Sequence, residues 1–188
     1  MFFDELDIFL DGFRKREIVH SEAKTPKVDE DIIDELLDLY LLAYYEGSKD
    51  AGRELMIDVE PSVEAAERAI NRPIADKTFR ERVAAYLNGE MGETTGTPAE
   101  AIARVAETDS VRIYNEAKLD TAMELGAAIK TWHTMEDNRV RDTHTFLEGV
   151  SAPIDGYFYT YTGAKALAPG QFGDAAEDVG CRCWLTVK

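Results

Sequence analysis

Cysteine is almost absent from this chain. There are two in 188 residues, Cys181 and Cys183, one residue apart near the end. A relaxed disulfide wants Cα atoms about 5.5 Å apart with converging Cβ vectors, which so short a spacing does not offer. A secreted disulfide framework is therefore excluded. Basic residues are also scarce: 21 Lys and Arg stand against 37 Asp and Glu, a net charge of −16. A phosphate backbone calls for clustered Lys and Arg, so the balance argues against direct contact with duplex DNA. No long apolar run is present. The most apolar stretch, residues 36–45, falls far short of the roughly 20 residues a membrane span needs. The chain opens Met1-Phe2-Phe3-Asp4-Glu5 without the basic region of a signal peptide, so a soluble, cytoplasmic life during synthesis is expected. Internal repeats and low-complexity tracts are missing too.

What remains is an acidic chain long enough for one domain, or one domain plus a helical lobe. The acid is uneven. Residues 137–188 carry 5 basic and 7 acidic side chains, so −14 of the charge lies in residues 1–136. A solvated acidic surface is the favoured reading; a face that docks on a basic partner is the alternative.

Apolar spacing predicts an aromatic-faced amphipathic helix over residues 1–17, a linker over 18–27 and a helix over 28–57 that bends near Gly47 and Gly52. The wide apolar side of that second helix fits two neighbours within one bundle, or a subunit interface. Pro61 is expected in the first turn of a short helix, and another helix over 76–87. The Gly/Thr-rich stretch 88–96 reads as a lobe boundary. Thr97-Pro98-Ala99-Glu100 is a capping box that opens a long helix ending near Gly126. Alternation then predicts a strand ending at His133, a short helix over 138–147 capped by Asp137, β-prone segments at 157–161 and 183–187, and a long loop from 163 to 180. The class is α+β: a helical N-terminal lobe, residues 1–96, followed by residues 97–188, in which the long helix leads into a small lobe with a short antiparallel sheet.

The chemistry-bearing residues crowd that second part. Lys130, Trp132, Asp137, Arg139, Arg141, His144, Leu147 and Gly149 are followed by Pro169, Glu177 and Cys181-Arg182-Cys183. Core formation does not ask for that mixture at those spacings. One account is a polar network: Asp137 caps, Arg141 pairs with Asp137 or Glu177, and His144 bonds a loop carbonyl. A second is structural zinc. Cys181 and Cys183 point the same way on a strand and, with His144 and a fourth ligand from Asp137 or His133, offer the donors zinc accepts. A third is a small metal-dependent hydrolase or nuclease using His144. No recognisable oxyanion loop accompanies it. The network is the preferred account, with no cofactor needed. The two tryptophans are read as core anchors.

These residues resemble the phage Mu F-like, or head-morphogenesis, family of minor head proteins. The long helix adds Arg104, Glu107, Thr108, Arg112 and Asn115, which match a recurrent helix of that family, with Glu107-Thr108-Asp109 where many relatives read Thr-Glu. The likeness covers about residues 101–188. Gly180 stands where many relatives have Asn, and the chain is shorter than many members. The resemblance implies a structural protein of the virion, found in the phage head and in host cytoplasm during assembly. It implies action in capsid assembly and at the portal during DNA packaging or ejection. The portal protein, the major capsid or scaffolding protein and further copies of itself are the implied partners. Relatives also occur fused to toxic C-terminal domains; the end five residues past Cys183 favours the plain head protein. On the long helix, the polar face is expected to buttress the C-terminal lobe through hydrogen bonds.

Overall fold

The computed structural model describes residues 2–18, 30–74, 76–87 and 96–188. Its centre is the long helix. We number the elements α1 (Phe2–Arg14), α2 (Glu30–Leu55), α3 (Val63–Asn71), α4 (Phe79–Leu87) and α5 (Pro98–Glu124). There follow β1 (Ile129–His133), α6 (Asp142–Thr145), β2 (Ser151–Pro153), β3 (Phe158–Tyr159), β4 (Lys165–Ala166), α7 (Ala175–Asp178) and β5 (Trp184–Val187). The α+β class is as expected, with the strands confined to the C-terminal part.

α5 begins with the expected box. The Glu100 amide donates to Thr97 Oγ1 at 3.2 Å, the Thr97 amide donates to Glu100 Oε2 at 2.6 Å, and Pro98 occupies the first helical position. It stops at Leu125, where Gly126 turns the chain at φ +82°. α1, α2, α3, α4 and β5 all pack on it. Alanines at 99, 101, 103, 106, 117 and 122 are buried and keep its surface narrow enough for close approach. Gly47 of α2 shows how close: a Cβ there would run into the Tyr114 carbonyl. α2 passes through Gly47 and Gly52 as one continuous helix, and its apolar side faces the bundle. Phe2, Leu6, Leu10 and Phe13 of α1 close the same core, with the Phe2 ring stacked 5.0 Å from Tyr114.

β1 is the middle strand of an antiparallel sheet in the order β2-β1-β5, with Trp132 opposite Leu185 and Lys130 opposite Val187. β3 and β4 form a separate hairpin. Trp132, Leu147, Phe158, Ala168, Cys181, Cys183 and Leu185 make a second core with Leu119 of α5.

Several boundaries differ from expectation, each for a local reason. Pro61 precedes the cap of α3; Ser62 is the cap, its Oγ accepting from the Ala65 amide. α4 starts at Phe79 because Thr78 and Glu81 form a capping pair and Asp76 lies at φ +62°, outside helical space. Asp137 does not cap the helix over 138–147. Its carboxylate accepts from the Arg139 amide at 3.0 Å, a two-residue turn that competes with helix, and only Asp142–Thr145 is helical, after Arg141. The loop 163–180 contains β4 and α7. The expected linker beyond residue 18, the first two residues of the helix expected from 28, and residues 88–95 of the expected boundary lie outside the described residues. Among the described residues no helix is long and apolar enough to cross a membrane.

Candidate functional site

Two side chains of α5, Thr108 and Asn115, bracket the cysteine pair. Gly180 sits at φ +69°, a conformation that glycine adopts freely and Asn tolerates, so Gly for Asn here keeps the turn. Its amide donates to Thr108 Oγ1 at 3.0 Å. On the far side, Asn115 Nδ2 donates to the Cys183 carbonyl at 3.0 Å and the Leu185 amide donates to Asn115 Oδ1 at 3.1 Å. Asn115 has no solvent exposure, so a short amide supplies what a strand neighbour would otherwise supply. Between the two anchors the chain alternates: Cys181 and Cys183 are buried and Arg182 turns outward to Asp137.

His144 meets the sulfurs from α6. Its Nδ1 lies 3.5 Å from Cys183 Sγ and 3.6 Å from Cys181 Sγ. The ring is 1% exposed, stacks at 5.3 Å on Phe172 and meets the Trp132 ring edge-on at 5.5 Å. Its Nε2 lies 3.2 Å from Glu177 Oε2, poorly aligned for a hydrogen bond and with no other partner. Thr143 Oγ1 donates to the same carboxylate oxygen at 2.7 Å, and Asp174 caps the turn that carries Glu177. The Cys183 thiol donates to Cys181 and, against the cost of burial and with His144 helping, holds that sulfur well below the ordinary thiol range. The same bond, with burial, pushes Cys183 up.

Around this centre lie the arginines. The bond from Arg182 holds the Asp137 carboxylate below its usual range. Arg139 reaches Glu107 of α5 at 2.7 Å, and Arg141 donates to the Val179 carbonyl. A cavity of about 10 Å³ is lined by Met135, Arg139, Arg141, His144, Cys181 and Cys183, among others. Gly149, at φ +72°, donates to the Trp132 carbonyl, and Pro169 is buried. Imidazole, guanidinium groups and thiols therefore share one location.

Two pairings differ from the expected network, and one placement differs from the expected zinc set. Arg141 binds a carbonyl rather than Asp137 or Glu177. His144 faces sulfur and carboxylate rather than a loop carbonyl. Neither Asp137 nor His133 stands as a fourth ligand: Asp137 is engaged by Arg182, while His133 bonds Glu148 and Thr186 and stacks on Trp184. Arg112 points elsewhere, to Glu116 at 2.8 Å and the Ala69 carbonyl at 3.1 Å, and Arg104 lends its carbonyl to Thr108 Oγ1.

The rest of α5 is equally occupied. Asp109 pairs with Arg82 and accepts from Tyr40; Glu116 pairs with Arg72 at 2.8 Å; Lys118 pairs with Glu54 at 2.7 Å. Glu54 also accepts from the Val187 amide at 2.7 Å, tying α2, α5 and β5 at one joint. Several of the acids read as a solvated surface are thus buried ion-pair partners. Sequence reasoning missed Glu54, Asp109, Lys118 and Phe172. The one readable signal was charge on every side of an alanine-rich helix.

The family model of Phage Mu protein F like protein matches residues 63–186. A protein of Enterococcus faecalis named NAD(+)--arginine ADP-ribosyltransferase EFV is 35% identical over 108 residues, which are 57% of this chain and 22% of that protein. This chain therefore spans well under a third of that relative's length. No solved structure matches the chain. With well over half of its residues inside the matched region, the cysteine–histidine centre included, the chain belongs to the Phage Mu protein F like family.

Proposed function

We propose that the chain is a minor structural component of a phage head, acting in capsid assembly and at the portal during DNA packaging or ejection. The observation that carries this reading is the family match over residues 63–186, which takes in His144, Glu177, Cys181 and Cys183. The architecture suits a scaffold. Buried side chains of α5 hold five other elements, so these keep fixed relative positions. The net charge of −16 favours contacts with protein over contacts with the packaged duplex.

A hydrolase or nuclease centred on His144 has less support. The cavity beside it, about 10 Å³, is water-sized and does not admit a phosphodiester or a sugar. The activity in the Enterococcus relative's name belongs to a protein of which this chain covers 22%.

The test is co-purification. The full chain, co-expressed with the portal protein of the same phage, is expected to retain the portal through size-exclusion chromatography. It is also expected to leave an unrelated portal unbound. Failure to retain its own portal, with normal retention of some unrelated protein, overturns the assignment.

A further inference from the structure

We propose that His144 Nδ1, Cys181 Sγ and Cys183 Sγ hold a zinc ion, with a water molecule from the adjoining cavity as fourth ligand. The site goes beyond the head-protein reading and does not rest on it.

Distance is the first argument. Zinc takes sulfur at about 2.3 Å and imidazole nitrogen at about 2.0–2.1 Å in tetrahedral array, which sets nitrogen and sulfur about 3.6 Å apart. The two separations here are 3.5 and 3.6 Å. The three ligand atoms lie within 4.8 Å of one another, and all three residues are buried. Sulfur with imidazole nitrogen is the donor set zinc prefers and magnesium or calcium does not.

Orientation is the second. A zinc-bound histidine almost always turns its other nitrogen to a carboxylate or carbonyl, which fixes the tautomer. Nε2 of His144, buried and otherwise unpartnered, lies 3.2 Å from Glu177. A proton on Nε2 leaves the Nδ1 lone pair aimed between the sulfurs. Glu177 is itself held by Thr143, and Phe172 and Trp132 fix the ring, so the ligand cannot swing away.

Room for the fourth ligand is the third. The cavity touches His144 and both cysteines, and about 10 Å³ is close to the space one water needs. Two thiolates neutralise the ion, and Arg139 and Arg141 at the cavity wall favour an anionic or lone-pair ligand over a cation. The zinc would join the α6 turn to the approach to β5 in a lobe whose strands are two to five residues long, where a metal adds most to folding.

The experiment uses the full chain, purified under reducing conditions with the affinity tag removed and no chelator. Elemental analysis is expected to give about one zinc per chain. Replacement by Co²⁺ is expected to give thiolate charge-transfer absorption and the visible bands of a four-coordinate ion. Cys181→Ser and Cys183→Ser should each reduce the charge-transfer absorption. Because those variants are prone to unfold, Glu177→Gln is the second arm. It is expected to keep the circular dichroism of the parent and to weaken Co²⁺ binding about 10–100-fold. Folded protein that takes up neither metal overturns the proposal. So does metal bound without thiolate absorption, or a Cys181–Cys183 disulfide in the folded state.

Discussion

Asn115→Leu is expected to destabilise the protein by about 2–5 kcal/mol, a large share of the roughly 5–15 kcal/mol available to a domain. Leucine keeps the branched skeleton of the asparagine side chain, so the cost is not a cavity. It comes from the Cys183 carbonyl and the Leu185 amide, which Asn115 alone reaches from α5 and which stay buried once its amide is gone. A buried polar group left without a partner costs about 1–3 kcal/mol. Trp132 and Trp184, the only tryptophans, both sit in the C-terminal lobe, so their fluorescence in a urea titration reads the event directly. A change under about 0.5 kcal/mol, the range of an ordinary surface substitution, would mean that the clasp does not hold the strand.

Lys130→Met is expected to do the opposite, raising stability at pH 7 by about 2–3 kcal/mol. Lys130 is fully buried and its Nζ has no hydrogen-bond partner, with the Phe158 ring 5.5 Å away. Burial lowers its pKa to about 8, with Asp155 opposing the shift. The unfolded value is about 10.4. Between the two, the unfolded chain holds a proton that the native chain has released, so native stability climbs with pH across that window. Below it, native Lys130 carries a buried charge at full cost. The advantage of methionine should therefore be greatest at pH 7 and shrink as the pH passes 8 toward 10. A stability difference unchanged from pH 7 to 10 would show that Lys130 keeps its proton by reaching water.

Local rules carried the sequence reading where partners are near in sequence. Thr97 and Glu100 announce the start of α5 because a capping box is complete within four residues. β1 was legible because buried Lys130 and Trp132 alternate with half-buried Ile129, Thr131 and His133. Cys181 and Cys183 could be placed on one side of a strand approach by parity alone. The reading failed where partners come from afar. The polar face of α5 is expected to buttress the C-terminal lobe, and Thr108 and Asn115 bond it, but the ion pairs were not legible: Glu107 meets Arg14 and Arg139, Asp109 meets Arg82, and Lys118 meets Glu54. Periodicity on one helix cannot reveal a counter-ion dozens of residues away. Asp137 misled for a related reason: the same residue type caps helices and closes two-residue turns, and its bond to Arg182 decided between them. His144 was legible as a participant, but its orientation was not, since Glu177 and Phe172 fix it from a stretch that reads as loop.

Native-state amide exchange at β5 tests most directly whether the C-terminal lobe is locked to α5 and α2. The Leu185 and Val187 amides donate to side chains of those helices, Asn115 and Glu54. They are expected to exchange with the same opening free energy as amides at the middle of α5, within about 1 kcal/mol, because the lobe cannot open alone. Exchange at β5 through a local opening several kcal/mol cheaper than that of α5 would contradict the account and make the lobe an independent appendage.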